Sequence, residues 1–275
     1  RSRGLGDVYK RQVQDHFISF PAIVSIIFST SPILMPVTAR IKTLGGRSLG
    51  LMFSILYFLS LGYGLIYNPS LGGLFCIILG LGIILSSQFA LQNMIFVSLL
   101  LSIIYINPYP LIIMILCIIL GLAMPYLGIR DILSFRWEHF KWYKRNYHRG
   151  TTAALRNQIS DFLKIPTYIS RDPQNFLRVI FYNSTYLIAL RSVPSFVGLL
   201  ILFTFYPNSI TFVLSDSIIK YIFNLLICSL VIFLFTSLKS FSYLGQAERY
   251  FEYSLAFGSF LFVYLLYRYT YPVSY

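Results

Sequence analysis

The sequence predicts an all-α, polytopic membrane protein with about eight transmembrane helices and a basic, amphipathic-helical cytoplasmic loop. Only 11% of the 275 residues are charged and 57% are hydrophobic, whereas a soluble domain carries about 25% charged residues. The mean hydropathy is +0.71, which is too high for a surface that faces water. The apolar residues form long stretches, and about 20 residues of helix cross the roughly 30 Å of hydrocarbon in a bilayer.

The chain divides into four segments. Residues 1–12 lack an initiator Met and differ abruptly from the apolar sequence after them, so we interpret them as a non-native-looking leader and expect the natural N-terminus to be missing. Residues 13–128 are predicted to form a first transmembrane block of about five helices. Residues 129–184 are predicted to be a basic interfacial loop, and residues 185–275 a second block of about three helices.

Eight apolar stretches are predicted to cross the membrane. In chain order they are residues 17–38, 49–67, 71–86, 89–106, 111–127, 185–205, 218–238 and 254–267. The last stretch is expected to continue a helix that begins near Gly245, and residues 215–217 are expected to cap the seventh. The third and fourth stretches meet at residues 86–88, and they are either two helices or one long helix with a polar break.

The basic loop predicts the orientation of the chain. It holds ten basic and four acidic residues, a net +6 out of the +13 of the whole chain. Lys and Arg are retained on the cytoplasmic side of a membrane. With eight spans, the connections near residues 68–69, 107–110 and 206–216 fall on the opposite side, and they contain no Lys or Arg. We therefore expect a cytoplasmic central loop and an external C-terminus.

The same loop is predicted to contact lipid head groups. Apolar residues recur at helical spacing in two of its pieces, residues 155–163 and 176–181, and these are expected to lie along the interface. The loop is also rich in cations and in aromatic rings of the kind that sit at the level of the head groups. The expected membrane-interface residues are Arg136, Trp137, Lys141, Trp142, Lys144 and Arg145. The expected partners are the bilayer and its anionic lipids; the basic charge lies beside membrane spans, which argues against nucleic acid.

Residues 244–253, LGQAERYFEY, are the strongest candidate for chemistry. Glu248 and Glu252 share a helix face, and Arg249 lies beside them at the start of the eighth span. Such a group can orient a phosphate or a sugar hydroxyl, or relay a proton. The alternative is structural, because acidic residues in a first turn complement the helix dipole and an arginine there anchors the lipid boundary.

Two further sets of polar residues are candidate substrate contacts. Arg191 stands about two turns inside the sixth span, where a guanidinium either meets a phosphate or carboxylate or extends to the surface. Gln88, Gln92 and Asn93 form a polar patch that either lines a substrate cavity or hydrogen-bonds neighbouring helices. The three cysteines fall in apolar stretches without paired spacing and are predicted to be small core or lipid-facing residues. No cofactor is identified, and a divalent metal is left open.

Parts of the sequence resemble the C-type membrane glycosyltransferases, which use polyprenyl-phosphate-linked sugars. The resemblance lies in residues 39–50, ARIKTLGGRSLG, a basic glycine-containing turn before a span, and in residues 59–63, LSLGY. Residues 244–253 are similar to a stretch in bacterial membrane proteins of surface-polysaccharide pathways. The resemblance implies a catalytic acidic residue in the first external loop. The only acidic residue that early outside the leader is Asp15, so the resemblance also implies an N-terminally truncated chain.

The sequence supports three hypotheses of function. The first is a glycosyltransferase-like protein of cell-envelope glycan synthesis in the bacterial inner (plasma) membrane, with a polyprenyl-phosphate-linked sugar as donor. In it, Glu248 or Glu252 orients or deprotonates the acceptor, and Arg191 and Arg249 contact phosphate. The second is a transporter or polymerase component that handles a lipid-linked glycan. The third is a membrane scaffold whose basic loop recruits a soluble partner.

Overall fold

A computed structural model of the protein describes residues 46–146, 167, 170, 194–236, 241, 244 and 249–270. Within these residues every element is helical, with no strand, as the sequence predicts. Ten α-helices are described, together with a 3-10 turn at Pro125–Leu127. The helices are α1 Gly46–Ile66, α2 Pro69–Ser86, α3 Gln88–Tyr105, α4 Tyr109–Ala123, α5 Ile129–Asn146, α6 Pro194–Phe205, α7 Asn208–Ser215, α8 Ser217–Thr236, α9 Arg249–Glu252 and α10 Leu255–Thr270.

Several predicted features lie outside the described residues. They are the first span at residues 17–38, the amphipathic pieces at residues 155–163 and 176–181, Arg191 and Glu248.

Long apolar helices make up most of the described structure, as in a membrane-embedded protein. Four helices, α1, α2, α3 and α8, are long and apolar enough to cross a bilayer, and a fifth span results if α6 and α7 are counted together. The apolar parts of α4 and α10 are shorter than a full span. The described residues therefore account for four or five spans by length and composition, fewer than the eight predicted from the sequence.

A tight antiparallel pair, α1 and α2, begins the bundle. Asn68 and Pro69 end one helix and start the next: the Asn68 side chain accepts a hydrogen bond from the Leu71 amide at 3.0 Å, and Pro69 occupies the first turn. Glycines bring the two backbones together. A Cβ added at Gly72 would lie 2.8 Å from the Ser60 carbonyl oxygen and closer still to the backbone of Gly64. Small residues at such crossings are typical of packed transmembrane helices.

The connection between α2 and α3 is a single residue, Ser87. Its backbone N–H closes α2 onto the Ile83 carbonyl, and its hydroxyl accepts from the Ala90 amide at 3.5 Å, so that Ser87 caps both helices. Across this joint Gly80 lies opposite Met94, since a Cβ at Gly80 would lie 3.7 Å from the Met94 sulfur. The polar break at residues 86–88 is therefore a turn between two antiparallel helices, and the alternative of one long helix is wrong.

The turn from α3 to α4 ties the bundle at its other end. Ile106 adopts a left-handed conformation, with φ 48°, and Asn107 accepts a hydrogen bond from the Tyr109 amide at 2.9 Å. The Tyr109 hydroxyl donates to the Pro69 carbonyl at 2.8 Å and so joins the start of α4 to the start of α2. The fourth helix ends at Ala123, earlier than the predicted residue 127, because Pro125 cannot continue the backbone hydrogen bonding.

The second block differs from the sequence prediction in two places. Residues 206–216 were predicted to be a connection, but they contain α7, which is bent by 111° from α6. Pro207 accounts for the break, since proline lacks a backbone N–H.

The helix expected from Gly245 through Tyr267 is interrupted by a turn at Tyr253 and Ser254, where the Ser254 hydroxyl donates to the Phe251 carbonyl at 3.1 Å. Serine competes with helical hydrogen bonding in this way.

Ring contacts join the helices of the second block to one another and to the first block. Phe196, Phe233 and Phe251 pack together near the starts of α6 and α10, with Phe233 and Phe251 centroids 4.5 Å apart. At the opposite end, Tyr105 of α3 and Tyr221 of α8 have ring centroids 6.4 Å apart. We call the end with Ser87, α9 and the start of α5 the basic end, and the other the far end.

The far end is not without cations. Its predicted connections contain no Lys or Arg, but Lys220 lies in the first turn of α8 and Arg268 in the last turn of α10. The Arg268 guanidinium lies 3.8 Å from the centre of the Phe212 ring of α7.

The predicted cap at residues 215–217 is confirmed, because an Asp216 carboxylate oxygen accepts from the amides of Ile218 and Ile219 at 2.9 and 3.0 Å.

The third helix is the centre of the described bundle. It contacts α1, α2, α4, α8 and α9, and it contributes Met94, Val97 and Leu101 to the core. Its central position determines where the predicted polar patch lies.

The glycine contact between α1 and α2 gives a test of this packing. We expect Gly72→Ala to lower the stability of the purified protein, because its methyl group meets the backbone of Gly64, which cannot move aside. Overpacking of this kind costs about 1–3 kcal/mol. Thermal unfolding in detergent measures the effect.

The adjacent glycine supplies the matched control. A Cβ at Gly73 meets only the Ile113 side-chain end at 3.0 Å and the Tyr109 hydroxyl at 3.3 Å. Gly73→Ala is therefore expected to be tolerated. Equal stability of the two variants would contradict the close backbone approach.

Candidate functional site

The structure brings the predicted polar patch of α3 to the stretch at residues 244–253. Tyr250 of α9 is fully buried, and its hydroxyl lies 3.2 Å from Gln92 Oε1 and 3.3 Å from the Leu244 carbonyl oxygen. Its single proton is therefore shared between two acceptors. The Tyr250 ring also packs against Phe96, with centroids 6.1 Å apart. We call this junction the Gln92–Tyr250 contact.

The short helix α9 positions the candidate charged residues. Arg249 and Glu252 are its first and last residues. Tyr250, Phe251 and Tyr253 are all buried, and they anchor this part of the chain against α3 and α8. The backbone of Arg249 and Glu252 is thereby held at the basic end of the bundle. Glu248 and Arg191 lie outside the described residues, so their relation to α9 stays a prediction.

The other members of the patch differ in their surroundings. Gln88 is the first residue of α3 and is half-buried. Asn93 is only 1% exposed, and its side-chain oxygen has no hydrogen-bond partner among the described residues. A buried amide oxygen without a partner costs about 1–3 kcal/mol. Asn93 is thus the most costly polar side chain of the predicted set.

Similar buried polar atoms occur on three packed helices, and the sequence reasoning missed them. Besides Asn93 they are the Ser54 hydroxyl of α1, the Tyr105 hydroxyl of α3 and the Asn224 amide nitrogen of α8. Tyr105 and Asn224 lie close enough to interact with each other, whereas the Ser54 hydroxyl and the Asn93 oxygen have no hydrogen-bond partner among the described residues. We call these four residues the polar seam. The signal available in the sequence is a polar residue within an apolar stretch, since polar side chains inside the membrane are costly and are often functional.

Neighbouring hydroxyls line the same helices but are partnered. The Tyr57 hydroxyl lies 3.4 Å from the Ser98 hydroxyl between α1 and α3. The Tyr221 hydroxyl donates to the Phe58 carbonyl at 2.6 Å. Gly62 leaves room for this ring, since a Cβ there would overlap Tyr221. The packing therefore gives hydrogen bonds to some buried polar groups and none to the Ser54 hydroxyl and the Asn93 oxygen among the described residues.

The six predicted interface residues all lie on α5, a helix that the sequence analysis did not identify as such. Trp137 and Trp142 are exposed on it. Lys141 pairs with Glu138 and lies 6.0 Å from the centre of the Trp137 ring. Lys144 and Arg145 occupy the last turn, where cations complement the helix dipole. Arg136 is half-buried, and this burial lowers the pKa of its guanidinium.

The predicted role of the cysteines is confirmed. Cys76, Cys117 and Cys228 are buried and free, so they act as small core residues. In the part of the chain that the structure describes, no three or more His, Cys, Asp or Glu side chains come together as a metal site would require. No described residue can therefore be assigned to a divalent metal.

Comparisons with known proteins identify no relative of this chain. No protein-family model, curated protein or solved structure matches it.

The Gln92–Tyr250 contact can be measured by a double-mutant cycle with Tyr250→Phe and Gln92→Leu. We expect the two losses of stability to be less than additive, because each substitution removes the same hydrogen bond. Coupling between transmembrane helices averages about 0.6 kcal/mol. Thermal unfolding of the two single variants and the double variant gives the value.

Gln88 provides the control, because it lies one turn earlier on the same helix. Gln88→Leu combined with Tyr250→Phe is expected to be additive, as distant sites generally are. Additivity in the Gln92 cycle as well would show that α9 does not depend on α3.

Proposed function

We propose that the chain is an integral membrane, glycosyltransferase-like protein that transfers sugar from an isoprenoid phosphate carrier in envelope glycan synthesis. The bacterial inner membrane is its proposed location. The observation that carries the proposal is the Gln92–Tyr250 contact, since it sets the amide-bearing face of α3 beside the segment that holds Glu248, Arg249 and Glu252. Both lie at the basic end of the bundle.

The location suits an amphipathic donor. The isoprenoid chain would lie along the apolar outer faces of the helices, while its phosphate stays at the boundary of the membrane. Arg249 and Arg191 are the proposed phosphate contacts, since guanidinium groups match the geometry of phosphate oxygens. Gln88, Gln92 and Asn93 are the proposed sugar contacts, because an amide both donates and accepts hydrogen bonds.

Glu248 and Glu252 are the proposed acid–base residues. A carboxylate can accept the proton of an acceptor hydroxyl as that hydroxyl attacks the sugar carbon bonded to phosphate. The bond to the phosphate oxygen breaks, and the isoprenoid phosphate leaves. A divalent metal on the donor phosphate is compatible with the proposal, but no described residue is assigned to it.

The carboxylate role is tested with Glu252→Gln and Glu248→Gln. We expect transfer of labelled sugar from a polyprenyl-phosphate donor, measured in membranes, to fall in at least one of them by about a hundredfold or more, the contribution of a general base. Protein abundance is measured in parallel.

Glu138→Gln is the control for the loss of a carboxylate. Glu138 lies on α5 and pairs with Lys141, so this variant is expected to keep its activity. Undiminished transfer by both Glu248 and Glu252 variants at normal abundance would remove the carboxylates from the site.

A second candidate function is transport of a lipid-linked glycan, and the polar seam favours it. Its four side chains place polar atoms inside a bundle of apolar helices, and the Ser54 hydroxyl and the Asn93 oxygen have no hydrogen-bond partner among the described residues. Intramembrane polar residues of this kind line substrate routes. The broken pair of α6 and α7 is a second feature in common with transporters, whose binding sites often involve interrupted helices.

The transport proposal predicts that Ser54→Ala lowers movement of a fluorescent lipid-linked glycan across proteoliposomes severalfold without loss of stability. The Ser54 hydroxyl has no hydrogen-bond partner among the described residues, so removing it breaks no hydrogen bond. Transport and thermal unfolding are measured on the same preparation.

Ser229→Ala is the matched control. Ser229 is buried on α8, but its hydroxyl donates to the Leu225 carbonyl of the same helix at 3.0 Å. This variant is expected to transport normally. If Ser54→Ala transports as well as the unmodified protein, the polar seam is not the route.

A further inference from the structure

The helix α5 has one apolar and one charged face. At 100° per residue, Ile129, Leu133, Arg136 and Phe140 fall on one stripe, with Trp137 on its flank, whereas Phe135 and Trp142 fall nearer to Asp131. Asp131, Glu138 and Arg145 fall on the opposite side. The helix carries five basic and two acidic residues, a net +3. Such a separation of apolar and basic residues is typical of helices that lie in a membrane interface.

The apolar stripe is fully buried at its beginning and half-buried beyond it, at Leu133, Arg136 and Phe140. Ile129 is fully buried and lies against Gly121, where an added Cβ would be 3.2 Å from its side chain. Farther along, Phe135, Trp137 and Trp142 are 72%, 59% and 61% exposed. Three large aromatic side chains are thus left facing outward on a helix that starts at the basic end of a membrane-embedded bundle.

Arg136 stands in the middle of the apolar stripe, where the helical pattern calls for an apolar residue. One of its terminal nitrogens, Nη1, is buried and has no hydrogen-bond partner in residues 46–146, 194–236 and 249–270. Both acidic residues of α5 are on the opposite side of the helix, and Glu138 is paired with Lys141. The guanidinium is therefore held among apolar groups without an anion from its own helix.

We propose that α5 lies in the head-group layer of the bilayer and that Arg136 binds the phosphate of an anionic phospholipid. The exposed Trp137 ring, on the flank of the stripe, inserts at the same depth. The occupant is a lipid rather than a soluble phosphate because the apolar side chains around Arg136 need an apolar partner as well. Arginine is suited to this position, since its guanidinium makes paired hydrogen bonds to phosphate oxygens. This proposal is independent of the proposed enzymatic or transport function.

The sequence supplies its own probe, because Trp137 and Trp142 are the two tryptophans of the chain. Intrinsic tryptophan fluorescence therefore reports on α5 alone. The full chain is reconstituted in nanodiscs of phosphatidylcholine, or of phosphatidylcholine mixed with phosphatidylglycerol. In the anionic discs we expect emission at shorter wavelength, stronger quenching by lipids brominated near the head group, and weaker quenching by acrylamide.

The variants assign the effect to Arg136. In Arg136→Gln the difference between anionic and neutral discs is expected to be lost, whereas Arg136→Lys retains part of it. Arg130→Gln removes a cation from the same helix at about 120° from Arg136 and is expected to keep most of the difference. Circular dichroism shows whether each variant keeps its helical content.

Three results would overturn the proposal. The first is acrylamide quenching that is the same in both discs and unaffected by brominated lipid, since α5 would then lie in water. The second is a folded Arg136→Gln variant that responds to phosphatidylglycerol like the unmodified protein. The third is an equal shift on adding inorganic phosphate to neutral discs, because the anion would then not need to be part of a lipid.

Discussion

The described structure depends on how closely its helices approach one another. Lipid chains are as apolar as the side chains of a transmembrane helix, so burial of apolar surface does little to hold such helices together. These helices are instead held together by close packing, which glycines make possible. Gly64 and Gly72 bring α1 against α2, Gly62 receives the Tyr221 ring of α8, and Gly80 lies against Cys117 of α4. The last two contacts join helices that are not consecutive in the sequence.

Close packing also explains the pattern of polar atoms. Where two helices touch, a hydroxyl can reach a carbonyl of its neighbour, as Tyr221 does with Phe58. Other buried groups, such as the Asn93 side-chain oxygen, have no such partner among the described residues. A structure of this kind keeps such groups at a cost, which is why they are better evidence for function than the polar atoms that the packing satisfies.

Features that depend on local sequence were predictable. The second predicted span, residues 49–67, corresponds to α1 at Gly46–Ile66, and the Asp216 cap was identified from the residues around it. Features that depend on distant contacts were not. Gln92 and Tyr250 are 158 residues apart, and no periodicity in either stretch specifies the other. The helix α7 was missed because eight residues after a proline carry too little pattern to separate a short helix from a connection.

The single-residue joint at Ser87 links how α2 and α3 move. Because one residue caps both helices, there is no slack through which one helix could slide while the other stays in place. A displacement of Tyr250 that pulled on Gln92 would be passed within two turns to the end of α2, and from there to Gly46, which lies against the Ser86 carbonyl. The pair therefore behaves as one stiff hairpin, and any rearrangement at the basic end has to tilt it as a whole.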